Sequence, residues 1–295
     1  MQPGRDTKAE LNRRSQVCEA LAGTGVRVAK VDLIVVVGFL KRRNNPAMMI
    51  PAELVPRLAI AKSVTVLTGA GVSAESGIPT FRDAQTGLWA KYSPEELATP
   101  RAFRRNPRLV WEWYEWRRKL VAGAKPNTAH FALVEMEGLF LRFHLITQNV
   151  DGLHQRAGSR HVIELHGNIT RTKCSDESTI VSSWKDTGDV PPKCPACGGL
   201  LRPDVVWFEE PMPEEEMQEA MTASTHCDFF FSIGTSTVVY PAAALPSEAL
   251  RSGATVVEIN PQPTPFTPQA HFALAGAAGV VLPELVRAIS ALRRF

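Results

Sequence analysis

His166 sits between Glu164-Leu165 and Gly167, and an imidazole is the side chain best suited to general base work near neutral pH. Seven histidines occur in the chain, and His166 is set apart by its place between a polar strand end and a cysteine-bearing stretch. That strand end reads Gln148-Asn149-Val150-Asp151-Gly152-Leu153-His154. Amides there hold a ribose or a carboxamide, and Asp151 accepts a hydrogen bond; Asn-x-Asp-Gly is equally a good plain turn. A third group, Gly69-Ala70-Gly71-Val72-Ser73, follows an apolar run and opens a helix-compatible stretch. Glycines let a backbone approach a pyrophosphate, and a helix N-terminus favours negative charge. The Gly-x-Gly-x-x-Gly pattern of dinucleotide folds is not met, because Ala74 stands at its third glycine. The run continues into Thr80-Phe81-Arg82-Asp83, which adds an aromatic face and an Arg-Asp pair beyond the phosphate site.

These groups need strands to present them. Ser63–Leu67, His144–Thr147, Asp228–Ile233, Ala254–Ile259 and Gly279–Leu282 are short apolar runs, each ending in a small or polar turn, with helix-compatible stretches between. That pattern predicts an α/β fold: a doubly wound parallel sheet, Rossmann-like in outline, with ligands at the carboxyl ends of the strands. The stretch from about 171 to 202 breaks the pattern. It is poor in apolar periodicity, holds Pro191, Pro192 and Pro195, and carries Cys174, Cys194 and Cys197. Such a segment cannot build its own core, so it reads as a small inserted, zinc-ribbon-like module held by a metal.

Composition narrows the function classes. A net charge of +3 gives no argument for nucleic acid or a membrane surface, and the eight-residue run Leu33–Leu40 is too short for a span needing about 20 residues. An odd count of five cysteines, with Cys194-Pro195-Ala196-Cys197 as a tight pair, points to metal binding in a reducing, cytoplasmic setting rather than to disulfides. Residues 1–48 read as an N-terminal extension or an over-extended start before Met48-Met49, and residues 49–295 as the catalytic domain.

Taken together, Gly69-Ala70-Gly71-x-Ser73 through Arg82-Asp83, Thr147-Gln148-Asn149-x-Asp151-Gly152-Leu153-His154, His166-Gly167 and Gly234-Thr235-Ser236 resemble the sirtuin family in order and spacing, from about residue 55 to the C-terminus. The resemblance implies NAD as a consumed co-substrate and acylated protein lysines as partners. The acyl oxygen attacks the nicotinamide ribose, nicotinamide leaves, and the products are O-acyl-ADP-ribose and free lysine. His166 would be the base on a ribose hydroxyl, with Asn149 and Asp151 beside it. Gly69, Ala70, Gly71, Ser73, Phe81, Arg82, Gln148, Asn149, Asp151, Gly234 and Thr235 would line the NAD site. Ser236 and Asn260 would hold the adenosine half, and Ala278 would approach the adenine.

Tyr114 and Arg117 are three apart on a helix-compatible stretch, so they share a face. An arginine grips a carboxylate bidentately and a tyrosine hydroxyl adds a hydrogen bond. The alternative is an aromatic packing face of Trp111, Trp113, Tyr114 and Trp116 with Arg117 solvated beside it. The pair resembles the Tyr-x-x-Arg motif of the sirtuin branch that removes succinyl, malonyl and glutaryl groups. Val206 and Phe208, in Val205-Val206-Trp207-Phe208, resemble the segment that pairs with the substrate peptide; Glu209-Glu210 replaces the usual Gly-Glu. The family's module binds structural zinc through two Cys-x-x-Cys pairs. Here Cys194 and Cys197 form one pair, while Cys174-Ser175-Asp176-Glu177 lacks a cysteine and leaves Glu177 or water as fourth ligand. The same cleft would also suit an NAD-dependent deacetylase or mono-ADP-ribosyl transferase, or a silent NAD or ADP-ribose binding module.

Overall fold

The computed structural model describes residues 50–79 and 92–293. The extension over residues 1–48 and the Phe81 and Arg82 positions lie outside the described residues. Among the described residues eight strands are present: β1 Ser63–Thr68, β2 Arg142–Thr147, β3 Val162–Glu164, β4 Gly167–Cys174, β5 Leu201–Val205, β6 Phe229–Ile233, β7 Thr255–Asn260 and β8 Phe272–Ala275. The helices are α1 Leu54–Ala59, α2 Pro94–Leu97, α3 Pro100–Arg105, α4 Pro107–Gly123, α5 Thr128–Glu137, α6 Leu153–Ala157, α7 Glu214–Thr225, α8 Leu245–Arg251 and α9 Ala278–Arg293. Among the described residues no helix is long and apolar enough to cross a membrane.

Six strands form one sheet in the order β3-β2-β1-β6-β7-β8, every pairing parallel. Alternation along the strands supplies two cores. Val64, Val66, Leu145, Phe229, Phe231, Val257 and Ile259 point to the face covered by α1, α5 and α9. Leu67, Ile146, Phe230 and Val256 point to the face covered by α7 and α8. Burial on both faces explains why these strands read as continuous apolar runs. From β1 the chain winds outward to β2 and β3, then returns to lay β6 against the other side of β1. The switch point therefore falls between β1 and β6, whose onward connections run toward opposite edges of the sheet.

One expected strand is a helix instead. Gly279–Leu282 belongs to the first turns of α9, and the sheet is completed by the short edge strands β3 and β8. The apolar residues continue at helical spacing, with Val281, Leu282, Leu285, Val286 and Ile289 all buried. Pro283 does not break the helix. The Gly279 carbonyl, left free by proline's missing N–H, accepts the Thr128 hydroxyl at 2.7 Å, while the Gly279 N–H donates to Glu75 Oε2 at 2.7 Å.

The expected small module is built on the antiparallel pair β4-β5, separate from the main sheet. Helix α4 packs across it: Asn106 caps its start by accepting from the Leu109 N–H at 3.1 Å, and Pro107 fits the first helical turn. Arg118 fastens α4 to β4 by donating to the Ile169 carbonyl at 2.6 Å and to Thr172 Oγ1 at 2.9 Å. This fixes the face that carries Tyr114 and Arg117.

Candidate active site

The loops after β1, β2 and β6 meet at the switch point. Gly71 N–H donates to the Gly234 carbonyl at 2.8 Å, and a Cβ on Gly71 would lie 2.8 Å from Gly234 Cα and its oxygen. This glycine is thus required by a neighbouring strand's backbone, whatever approaches from outside. The segment is also not a helix N-terminus as expected, but two 3₁₀ turns, Ala70–Val72 and Ala74–Ser76, closed by Gly77. Gly71→Ala should force the two loops apart and cost roughly 1–3 kcal/mol, read as a lowered urea midpoint at unchanged m-value.

Under this loop a polar cluster forms from expected residues. The Ser73 hydroxyl donates to Asp151 Oδ2 at 2.7 Å and accepts from Asn149 Nδ2 at 3.1 Å. Asp151 Oδ1 takes the Leu153 N–H at 2.9 Å. Asn149 and Asp151 are buried. Burial pushes the Asp151 carboxyl above its ordinary range, opposed by the Leu153 N–H, the Ser73 hydroxyl and the charges of Arg117 and Arg156. Gln148 Nε2 donates to Thr235 Oγ1 at 2.9 Å, and Asn260 Nδ2 donates to the Thr235 carbonyl at 3.0 Å, so the ends of β2, β6 and β7 are tied together. Ser236 is exposed on the same loop, and Ala278 is buried at the start of α9.

His166 occupies the corner between β3 and β4. Its Nδ1 lies 2.8 Å from the Gln148 carbonyl, and a carbonyl only accepts, so Nδ1 carries the proton. Nε2 is then the basic nitrogen. Burial holds the imidazole below its ordinary pKa, with the Gln148 bond acting in the opposite sense. The result is a neutral, oriented base.

Tyr114 and Arg117 do share a face of α4. Tyr114 is fully buried, and the half-buried Arg117 guanidinium lies 5.0 Å from the centre of the Trp113 ring and 5.6 Å from that of Tyr114. The aromatic packing expected as the alternative is present in part, since Trp113 and Tyr114 pack in the core beside Trp207. Arg117 is nonetheless not simply solvated: it is half-buried against these rings, and its charge is among those that oppose the rise of the Asp151 carboxyl. Val206 N–H donates to the His166 carbonyl at 3.0 Å, placing the next segment alongside, with Phe208 exposed. Glu209 has φ 72°, a left-handed conformation that explains why glycine suits this position. Sequence reasoning assigns Trp207 no role; its one signal is an indole between Val206 and Phe208.

In the module, the sulfurs of Cys174, Cys194 and Cys197 lie within 4.8 Å of one another, with Cys174 and Cys197 at 3.4 Å. Glu177 is exposed and stands outside that group. The Gly199 N–H lowers the Cys197 thiol, yet its hydrogen bond with Cys174, then burial and Cys194, push it up to about 11. Three sulfurs this close are a donor set that fits a structural zinc ion, which would hold them as thiolates. The hydroxyl, amide and carboxyl groups of Ser73, Gln148, Asn149 and Asp151, meeting at a switch point, likewise fit the ribose and carboxamide of NAD.

Residues 69–241 match the Sir2 family. A protein of Pyrobaculum aerophilum named NAD-dependent protein deacylase 2 is 52% identical over 232 residues, covering 79% of this chain and 93% of its own. The NAD-dependent protein deacylase of Aquifex aeolicus is 54% identical over 221 residues, covering 74% and 92%. Among solved structures, a Sir2 homolog–NAD complex superimposes with a TM-score of 0.77 at 46% identity, covering 85% of this chain and 98% of that one. A Sir2–p53 peptide–NAD+ structure gives 0.69 at 32% identity, covering 81% and 98%.

Proposed function

The chain belongs to the Sir2 family and is an NAD-dependent protein deacylase of that family, and from this premise we propose that it favours lysine acyl groups ending in a carboxylate, such as succinyl, malonyl or glutaryl. The observation that carries the preference is Arg117: a guanidinium set in an aromatic wall with Tyr114, its charge felt by Asp151 of the polar cluster. An acyl carboxylate entering there meets a planar donor fork and a phenol.

The residues divide the work. NAD, when bound, supplies the activated ribose carbon and accepts the acyl group. Ser73 links Asn149 to Asp151, so the amide and carboxylate are held at fixed distances for ribose hydroxyls and the carboxamide. His166 Nε2 takes the proton of a ribose hydroxyl, and being neutral it adds no second cation to a site where positive charge develops. Gly69 to Gly71, Thr235, Ser236 and Asn260 hold the remainder of NAD; Phe81, Arg82 and Ala278 are assigned to it on family resemblance.

The test is nicotinamide release from NAD with one peptide carrying succinyl-lysine or acetyl-lysine, for the wild type and Arg117→Met. Succinyl turnover should exceed acetyl turnover in the wild type. Arg117→Met should lower succinyl kcat/KM by about 10- to 100-fold more than acetyl, the loss expected of one charged hydrogen-bonding contact. Acetyl turnover that dominates in both proteins would make the enzyme a deacetylase and return Tyr114 and Arg117 to packing.

A further inference from the structure

The hydroxyl of Tyr114 is held by a buried device that reaches back to the base of the module. Trp207 Nε1 lies 3.0 Å from Tyr114 Oη, and an indole N–H only donates, so the tyrosine oxygen accepts. The Arg117 guanidinium carbon lies 5.6 Å from the centre of the Tyr114 ring on the same helix face. With its oxygen accepting from Trp207, the phenol has its own proton left to give. A carboxylate is the best receiver for that proton. An acetyl group carries no carboxylate to receive it, and a buried donor without a partner is costly.

Trp207 is itself fixed on two sides. Its backbone N–H donates to Glu210 Oε2 at 2.8 Å, and the Arg202 guanidinium lies 3.2 Å from the centre of its ring. Arg202 closes the device by donating to both Glu210 oxygens, at 2.5 and 2.9 Å, and to the Val205 carbonyl at 2.8 Å. Arg202 and Trp207 are both almost wholly buried. Burial alone would raise the Glu210 carboxyl, but the Arg202 and Trp207 bonds hold it below its ordinary range, so the pair stays ionised.

We propose that Trp207, clamped by Arg202 and Glu210, is a positioning residue that fixes Tyr114 as a hydrogen-bond donor and thereby sets the selectivity for acidic over neutral acyl groups. The inference rests on the acidic-acyl reading of Tyr114 and Arg117. Trp207→Phe keeps an aromatic ring under Arg202 but removes the donor to Tyr114, which frees the phenol to rotate or to accept.

The measurement is kcat and KM with NAD for succinyl-lysine and acetyl-lysine forms of one peptide, on the full chain, for wild type, Trp207→Phe, Tyr114→Phe and the double variant. Trp207→Phe should raise the succinyl KM roughly 5–10-fold relative to the acetyl KM while kcat for both changes less than about twofold, the scale of one lost hydrogen bond. The double variant should be no worse than Tyr114→Phe alone, since both changes act on one hydroxyl. A wild type that prefers succinyl, with a selectivity that Trp207→Phe leaves unchanged or with independent losses in the double variant, overturns this proposal and spares the acidic-acyl reading. A wild type without succinyl preference overturns both. If a thermal melt shows Trp207→Phe unfolded, Arg202→Lys replaces it. Lysine keeps the charge beside Glu210 but loses the planar stack and fork, and should lower succinyl selectivity about threefold; unchanged selectivity there also overturns the proposal.

Discussion

Replacing His166 with alanine should lower kcat by roughly 10²–10⁴-fold, the contribution of a positioned general base, while ADP-ribose binding measured by calorimetry stays within about threefold of the wild type. The separation follows from the geometry. The imidazole touches the binding loops through one bond, Nδ1–H to the Gln148 carbonyl, and the ties of Gln148 and Asn260 to Thr235 do not pass through it. Alanine therefore removes the Nε2 base without loosening the cradle. The sign of the pH dependence is also fixed. Burial lowers the folded pKa of His166, so Nε2 stays unprotonated below the ordinary imidazole value, and the acid limb of kcat/KM should fall below pH 6.5. Turnover by His166→Ala equal to the wild type would remove the general base from the mechanism.

That site was legible in sequence wherever one strand's end carried the chemistry by itself. Gln148 to Asp151 and Gly234 to Ser236 each follow an apolar run of their own, and the structure places them where a doubly wound sheet must. Gly279–Leu282 was not legible, because four apolar residues before a proline fit a buried strand and a helix turn equally well. The choice is made by Thr128 and Glu75, far away in the chain, which satisfy the backbone groups of Gly279. Gly71 shows the same limit. Its glycine suggested room for a phosphate, whereas the tight contact is with Gly234, a partner that sequence spacing does not reveal. Strands β3 and β8 are three and four residues long, too short to carry a periodic signal. Trp207 reads as one more apolar residue until its Nε1 is seen facing Tyr114, 93 positions away.

Beneath the site lies a buried histidine pair that should make the fold acid-labile. His130 on α5 and His154 on α6 are fully buried, with ring centres 4.8 Å apart. His130 Nδ1 accepts the Asn127 N–H at 3.2 Å, and His154 Nε2 hydrogen-bonds with the Thr68 hydroxyl at 3.0 Å; the other nitrogen of each ring has no hydrogen-bond partner among the described residues. Burial lowers His130 to about 4, and burial with the neighbouring His130 lowers His154 to about 3. Unfolded, both titrate near pH 6.5. Between pH 6.5 and those folded values the unfolded chain binds more protons, so stability is complete above pH 6.5 and falls as the pH drops. At pH 5 the loss amounts to about 2 kcal/mol per histidine, or about 4 kcal/mol for the pair. His130→Gln, which retains an acceptor for Asn127, should flatten the decline in urea-unfolding stability between pH 7 and 5 by about half. A decline as steep as in the wild type would place the lability in other groups, His144 and His166 first, since burial lowers both of these as well. The Thr68 hydroxyl bonded to His154 also bonds Thr147 Oγ1 at 2.9 Å, and Thr147 receives the Asn149 N–H at 3.0 Å. Charging His154 would therefore disturb the strand ends that carry Asn149 and Asp151. An activity loss at low pH that follows the unfolding curve belongs to this pair, and one that precedes it belongs to His166.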